Sequence, residues 1–184
     1  MYGMVNRALE ELICREHGEA VWERIRTEAG VDVEVFMAHQ SYPDDVTYRL
    51  VGAACGQTGL AGEELLERFG IHWVTVTAAE GYADLMASGG KTLRDFLTNL
   101  PDFHTRVGLL FPHLRPPQFR CSQVEAHSLH LHYSSFRPGL TPFVRGLVLG
   151  LGQLFETPVE VRLVSSESPD GGAEDEFLVT WPGG

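Results

Sequence analysis

The chain has 184 residues with 43% apolar content, enough for one large domain or two small lobes with a sizeable core. Its net charge of −11, with 14 basic and 25 acidic residues, argues against nucleic acid or an anionic membrane as a partner. The three cysteines are scattered and form no CxxC pair, so neither a disulfide framework nor a structural zinc site is expected. No apolar stretch is long enough to span a membrane, and the first residues lack signal-peptide features, so we expect a cytoplasmic protein.

The first half of the chain predicts helices, because its apolar residues recur three and four positions apart. Gly18 and Gly30 fit the ends of the first two helices. Thr92 and Asp95 have the spacing of a capping box, which predicts the start of another helix. The helical segments are 2–17, 19–29, a segment that ends near residue 55, 63–77 and 81–88.

Residues 101–111 predict a further helix, with Asp102 as its N-cap and a group of prolines after its end: Pro112, Pro116 and Pro117. His104 lies on its apolar face, in line with Leu100, Val107 and Phe111. An imidazole in an apolar interior is either a hydrogen-bonded core residue or a ligand of something bound there. For a histidine considered alone, the first interpretation is the commoner one.

After Pro117 the periodicity changes from helical to two, which is typical of strands. A helix over 141–155 interrupts these strands, and residues 168–172 predict an exposed hairpin tip. Helices followed by a small sheet with an inserted helix indicate an α+β fold with an antiparallel sheet of four strands. The predicted strands are 118–125, 128–136, 158–165 and 175–181.

Three polar residues follow each other on one face of the second strand: Tyr133, Ser135 and Arg137. A guanidinium with two hydroxyls can hold one or two carboxylates. Standing alone, the trio fits a solvated strand end equally well. Together with an imidazole on an apolar face, it indicates a bulky apolar ligand with anionic arms, which is the character of haem.

These residues resemble the H-NOX family, the haem nitric oxide/oxygen-binding domains, which are similar to the haem domain of soluble guanylate cyclase. The resemblance lies in the setting N-L-P-D-F-H-x-R-V-G around His104, the prolines after it, and Y-x-S-x-R at 133–137. Shorter matches extend it over nearly the whole chain, from Met1-Tyr-Gly-Met-Val-Asn through Asp45-Val-Thr-Tyr to Gly139-Leu and Gly146-Leu. It implies a single H-NOX-like domain over 1–184, in which a helical distal lobe of about 1–60 and a proximal lobe of about 61–184 enclose a haem.

The resemblance also implies roles for single residues. His104 would be the proximal iron ligand, and Tyr133, Ser135 and Arg137 would hold the haem propionates. Pro117 would press on the porphyrin. Trp73, Val5 and Phe143 match the distal side, although each of them also fits simple packing. The remaining cofactor-binding candidates are therefore Met1, Val5, Trp73, Pro117 and Phe143.

By the same resemblance, the protein is expected to be a haem b sensor without catalysis, which binds nitric oxide and incidentally carbon monoxide. Family members that hold oxygen stably use a distal tyrosine as a hydrogen-bond donor. None of the five tyrosines lies in 138–143, where Phe143 stands, so stable oxygen binding should be poor. Trp73 remains a possible substitute donor. Stand-alone relatives act on a histidine kinase or a cyclic-di-nucleotide enzyme, and a separate partner of this kind is expected.

One alternative comes from the residues alone. His127, His130 and His132 form a cluster in which the last two share a strand face, so a zinc-dependent enzyme could be built on them. On the second predicted strand this face is opposite the face of Tyr133, which predicts that the histidines face solvent. Because the sequence offers no carboxylate or cysteine at a fixed spacing as a third metal ligand, surface histidines without a metal are the better interpretation.

Overall fold

Helices make up most of the first 110 residues of the protein, as their amphipathic patterns predict. The structure, a computed structural model, describes residues 1–111, 114–167 and 174–183. Within this part the helices are α1 (Gly3–His17), α2 (Glu19–Glu28), α3 (Asp44–Thr58), α4 (Gly62–His72), α5 (Ala79–Gly81), α6 (Ala83–Ala87), α7 (Leu93–Thr98), α8 (Leu100–Leu110) and α9 (Thr141–Leu154). None of the helices described is long and apolar enough to cross a bilayer.

Two helix predictions need correction. The segment 63–77 is not one regular helix, because α4 passes into a π-helical turn over Trp73–Ala78. Thr75 and its neighbours are β-branched and crowd the preceding turn, and the Thr75 hydroxyl donates to the Ile71 carbonyl. Asp102 is not an N-cap either. Pro101 sits at the start of α8, so that the helix begins at Leu100 and Asp102 lies inside its first turn.

The four predicted strands form one antiparallel sheet in the order β1-β2-β4-β3. They run over Gln118–Ser122, Ser128–Ser134, Glu160–Glu167 and Glu174–Thr180, from β1 to β4. The expected α+β fold with a four-stranded antiparallel sheet is therefore confirmed. The predicted hairpin tip at 168–172 and Pro112 lie outside the described residues.

Two hydrophobic cores organise the described residues. One is built between α1, α2 and α3, and α4 contributes Leu65 and Phe69 to it. The other lies between the inner face of the sheet, where Leu131 and Phe177 are fully buried, and the helices from α6 to α9. Trp73, at the start of the π-helical turn, packs against both cores.

A buried polar contact joins α1 to α3. The Thr47 hydroxyl donates to the Asn6 side-chain oxygen over 2.7 Å, and Asn6 has no exposed surface. No partner is seen for the Asn6 Nδ2 among the described residues. The amide therefore depends on Thr47 for its one side-chain hydrogen bond.

Thr47→Val should lower the free energy of unfolding by about 1–3 kcal/mol, because it leaves the buried Asn6 oxygen without a donor. Denaturant unfolding followed by circular dichroism measures this loss. Thr27→Val is the matched control, since the Thr27 hydroxyl donates to Glu23 on an exposed helix surface. The control should change stability by no more than about 0.5 kcal/mol. Equal losses in both variants would contradict the role given to Thr47.

Candidate functional site

An apolar cavity of about 270 Å³ lies where the two cores meet. Its wall is formed by aromatic and aliphatic side chains from α1, the π-helical turn, α8, α9 and the sheet. The nine residues singled out in the sequence all line it: Met1, Val5, Trp73, His104, Pro117, Tyr133, Ser135, Arg137 and Phe143. Residues that are far apart in the chain are thus brought to one site.

His104 presents its imidazole to this cavity from α8. Its Nδ1 lies 2.9 Å from the Leu100 carbonyl oxygen, one turn earlier, so Nδ1 is the nitrogen that carries the proton. The Nε2 lone pair is then left free, and this nitrogen has no partner among the described residues. Burial lowers the pKa of His104, against the smaller opposing effect of the Leu100 hydrogen bond. A neutral, oriented imidazole of this kind is suited to bind a metal.

The polar end of the cavity is formed by Tyr133, Ser135 and Arg137. Strand β2 ends at Ser134, so only Tyr133 is on the strand, and the other two lie in the turn that follows it. The Arg137 amide donates to the Ser135 hydroxyl over 3.1 Å, which fixes this turn. Burial raises the pKa of Tyr133, although the Ser135 hydrogen bond lowers it, so its hydroxyl stays a donor at neutral pH.

Asp44, at the start of α3, joins this polar end to the amino terminus, and sequence reasoning missed it. Arg137 donates to both of its carboxylate oxygens, over 2.8 and 3.3 Å. The Met1 amino group donates to the same carboxylate over 2.5 Å. Burial opposes ionisation of Asp44, but the two cations outweigh this and hold its pKa below the usual value. An acid in the first turn of a helix was the available signal, and its partners are too distant in sequence to be inferred.

The other end of α8 contacts the amino-terminal lobe through an aromatic cluster, also missed. Phe111 follows α8, and its ring stacks on His39 at 5.6 Å and meets the edges of Tyr2 and Tyr82 at 5.3 and 6.1 Å. The Tyr82 hydroxyl donates to the thioether sulfur of Met4 over 3.6 Å. Tyr2 and Tyr82 both line the cavity, so tyrosine hydroxyls near it are not confined to Tyr133.

The remaining wall, which includes Val5, Trp73 and Phe143, is almost entirely apolar. The Phe143 ring packs against Phe69 at 5.1 Å, which fixes it at the start of α9. Neither Val5 nor Phe143 has a side-chain hydrogen-bond donor. Trp73 is the exception because its indole carries an N–H group.

The histidine cluster does not gather at one place. His130 pairs with Glu176 over 2.5 Å, and His132 shares a hydrogen bond of 2.7 Å with the Ser122 hydroxyl. His127 lines a different, shallow pocket. The prediction that His132 faces solvent is wrong: only 9% of it is exposed, because β1 and its Ser122 cover it. Within the described ranges no three His, Cys, Asp or Glu side chains are close enough to hold a metal ion.

Cys121 of β1 is half-buried, and its thiol donates to the Leu97 carbonyl over 3.3 Å. Burial raises the pKa of this thiol to about 11, against the opposing effect of Arg120. At pH 8 its labelling by a thiol reagent should be about two orders of magnitude slower in the folded than in the unfolded chain. Peptide mass spectrometry after timed alkylation measures this. Equal rates would contradict a shielded thiol.

Comparison with known proteins agrees with this geometry. A family model described as haem-NO-binding matches residues 2–163. The chain belongs to the H-NOX family. It is therefore a haem-binding gas-sensor domain like that of soluble guanylate cyclase, and such a domain is not catalytic by itself.

The curated relatives of this H-NOX domain include soluble guanylate cyclases of Caenorhabditis elegans. The chain is 31% identical to gcy-35 over 170 residues and 32% identical to gcy-37 over 168 residues. In both cases the match covers 89% of this chain and 24% of the relative. The chain thus spans about a quarter of the length of these cyclases.

Solved H-NOX structures have the same fold. A mutant of the T. tengcongensis H-NOX superposes with a TM-score of 0.87 at 20% identity, covering 100% of this chain and 98% of that one. A mutant of the K. algicida H-NOX, in its Fe(II) unliganded form, gives 0.85 at 22% identity, with 100% and 97% covered. The cavity fits the haem that H-NOX domains bind, because it combines apolar walls, a free imidazole nitrogen and cationic and hydroxyl donors at one end.

Proposed function

We propose that this H-NOX domain senses nitric oxide through a ferrous haem b and signals by a change in the position of α8. Carbon monoxide would bind incidentally, and oxygen would bind poorly. The observation that carries the proposal is the pairing of one half-buried, oriented imidazole with a cavity wall that is almost entirely apolar.

His104 would hold the iron through Nε2, since Nδ1 is already engaged by the Leu100 carbonyl. The haem iron supplies an open coordination position at which a diatomic gas can bind. Tyr133, Ser135 and Arg137 would hold the propionates by charge-assisted hydrogen bonds. Pro117 would press on the porphyrin, and Met1 would close the polar end of the cavity beside Asp44.

Selection of nitric oxide over oxygen would come from the distal wall. Bound oxygen is strongly polar and depends on a donor, whereas nitric oxide binds ferrous haem tightly without one. Val5 and Phe143 supply no hydrogen-bond donor. The wall would therefore favour nitric oxide because it gives bound oxygen no stabilising hydrogen bond. The lining also contains the Trp73 indole and the Tyr82 hydroxyl, and the Tyr82 hydroxyl donates to Met4 instead.

Two contacts support α8 as the element that transmits the signal. Its His104 lies in the cavity, while Phe111 at its other end packs against Tyr2 and His39 of the amino-terminal lobe. A shift of α8 would therefore change contacts in the cavity and in the amino-terminal lobe at the same time. A ligand must bind the two positions of α8 with different affinity, since otherwise no population shift follows.

We further propose that residues 1–184 act as one domain, with a distal lobe of about 1–60 and a proximal lobe of about 61–184. The domain would act in the cytoplasm on a separate histidine kinase or cyclic-di-nucleotide enzyme. The relatives named above are guanylate cyclases about four times longer than the match, so a role within a longer chain is the second candidate. The zinc-enzyme alternative finds no support, because the described histidines do not converge.

Hydrogen exchange of the ferrous protein, with and without nitric oxide, tests this signalling role. Amides of α8 and of the first four residues should exchange faster once nitric oxide is bound, because their packing around Phe111 loosens. Strand β4 serves as the internal control and should not change. Unchanged exchange in α8, under conditions where spectra show bound nitric oxide, would contradict the proposal.

A further inference from the structure

Asp175 is a buried carboxylate next to the polar end of the cavity. Only 4% of this residue is exposed. It lies on β4, directly opposite Tyr133 of β2 in the antiparallel register. Residues paired in this way point to the same face of the sheet, with their Cβ atoms about 5 Å apart. Asp175 is therefore the immediate neighbour of a residue that lines the cavity.

Two hydroxyl groups donate hydrogen bonds to this carboxylate. The Thr141 hydroxyl donates to Oδ2 over 2.5 Å, and the Ser166 hydroxyl donates to Oδ1 over 2.6 Å. Both oxygens thus accept, as they do in an ionised carboxylate, and such short distances are typical of charge-assisted hydrogen bonds. Thr141 is the first residue of α9, and the N-terminal end of a helix favours a nearby negative charge. The surroundings of Asp175 therefore stabilise its negative charge.

No positively charged side chain is seen to neutralise Asp175. In the ranges 1–111, 114–167 and 174–183 its side-chain partners are the two hydroxyls, and no Lys, Arg or His forms an ion pair with it. Asp44 and Glu176, by contrast, pair with Arg137 and His130. Hydroxyls and helix ends carry only partial charges. The field of Asp175 therefore extends into the apolar cavity, where water screens it little.

Tyr133 experiences this field. Burial has the largest effect on the pKa of Tyr133 and raises it, while the Ser135 hydrogen bond lowers it. The charge of Asp175 raises this pKa further, against the opposing charge of Arg137. Asp175 thus disfavours the appearance of a second negative charge on its neighbour. It must disfavour in the same way any other reaction that adds negative charge to this part of the cavity.

We propose that Asp175 is a redox-tuning residue of the haem site, whose buried negative charge stabilises the ferric over the ferrous haem. Uptake of one electron from a reductant lowers the charge of the haem by one unit, and the nearby carboxylate opposes this change. The inference rests on haem binding and goes beyond the proposed gas sensing. Because sensing is proposed for the ferrous state, Asp175 would make the fraction of protein that can bind nitric oxide depend on reducing conditions.

Spectroelectrochemical titration of the haem-loaded protein tests the proposal. Asp175→Asn keeps the shape of the side chain and removes its charge. It should raise the ratio of ferrous to ferric protein at a given potential about ten-fold, which corresponds to about 59 mV for one electron. Glu176→Gln is the matched control, because it removes the same charge from the next residue, which pairs with His130 on the opposite face of the sheet. The control should change the ratio by less than about two-fold. An unchanged ratio in Asp175→Asn, or the same rise in the control, would overturn the proposal.

A second variant reaches the same carboxylate from the protein surface and leaves the core intact. Ser166 is exposed, so Ser166→Lys places an ammonium group beside Oδ1 of Asp175. It should raise the ferrous-to-ferric ratio about three-fold, less than Asp175→Asn does, because solvent screens the added charge. Val164→Lys adds the same charge to the same strand at a residue that is 47% exposed and not bonded to Asp175. No rise with Ser166→Lys, or an equal rise with Val164→Lys, would contradict a specific effect of Asp175.

A third variant separates the charge of Asp175 from its packing role. Thr141→Val removes a hydrogen bond at the start of α9 but keeps the carboxylate, which is ionised at pH 8. It should lower the thermal stability without raising the ferrous-to-ferric ratio. If it raises this ratio as much as Asp175→Asn does, the effect comes from the packing of α9 and the proposal is wrong. No gas is added in these titrations, so their outcome does not depend on which gas is sensed.

Discussion

Replacing His104 with glycine is expected to abolish stable haem retention. Among the described residues of the cavity wall, the His104 imidazole is the one side chain with a free, oriented nitrogen for iron, and glycine leaves a space of the same shape. Free imidazole should then fill this space and restore a Soret band. The spectrum of the protein purified with and without imidazole measures both effects.

His130→Ala is the matched control for this experiment, because it removes an imidazole that pairs with Glu176 outside the cavity. It should bind haem as the wild type does. Glycine in α8 also costs about 1 kcal/mol of helix stability, so circular dichroism must show that the variant is folded. A folded His104→Gly protein that binds haem with the wild-type spectrum would show that another residue holds the iron.

Arg137→Ala is expected to speed haem dissociation by about ten-fold, the equivalent of about 1.4 kcal/mol. The substitution removes the charged donor at the polar end of the cavity. It also leaves Asp44 with only the Met1 amino group, a loss that solvent reduces because Asp44 is partly exposed. Transfer of haem to an excess of apomyoglobin measures the rate.

Asp44→Asn distinguishes the two roles of Arg137. This variant breaks the ion pair but leaves the guanidinium free to hold a propionate. Haem retention should therefore match or exceed the wild type, while the contact between α3 and the turn after β2 weakens. If both variants release haem at the same increased rate, Arg137 acts through Asp44 and does not itself hold the haem.

The sequence predicted those features that depend on hydrophobic periodicity within a single helix or strand. The helical spacing of Leu100, His104 and Val107 predicted the imidazole on an apolar face, and α8 confirms that spacing. The period of two after Pro117 predicted the sheet. The geometry of the helix or strand backbone fixes which nearby residues share a face. The spacing of apolar residues within one segment is therefore enough to predict that face.

The contacts between elements could not be predicted in this way. Asp44 meets Arg137 across 93 residues, and Tyr82 meets Met4 across 78. The burial of His132 depends on the register that sets Arg120 opposite it and brings Ser122 within reach. Such pairings are set by the packing of whole elements, for which no residue-spacing rule exists. The same is true of the π-helical turn at Trp73, which interrupts an otherwise regular helical pattern.

The gas that is sensed is the central claim, and one spectrum tests it most directly. A missing hydrogen bond to bound oxygen is worth about 1.5–3 kcal/mol, so oxygen should be lost about one to two orders of magnitude faster than where a distal donor is present. The ferrous protein is exposed to air and then, in a separate sample, to nitric oxide. We expect no stable oxygen complex in air, only slow oxidation, and a complete spectral shift with nitric oxide. A stable oxygen spectrum in air would contradict the account, and its loss in Trp73→Phe would identify the indole as the donor.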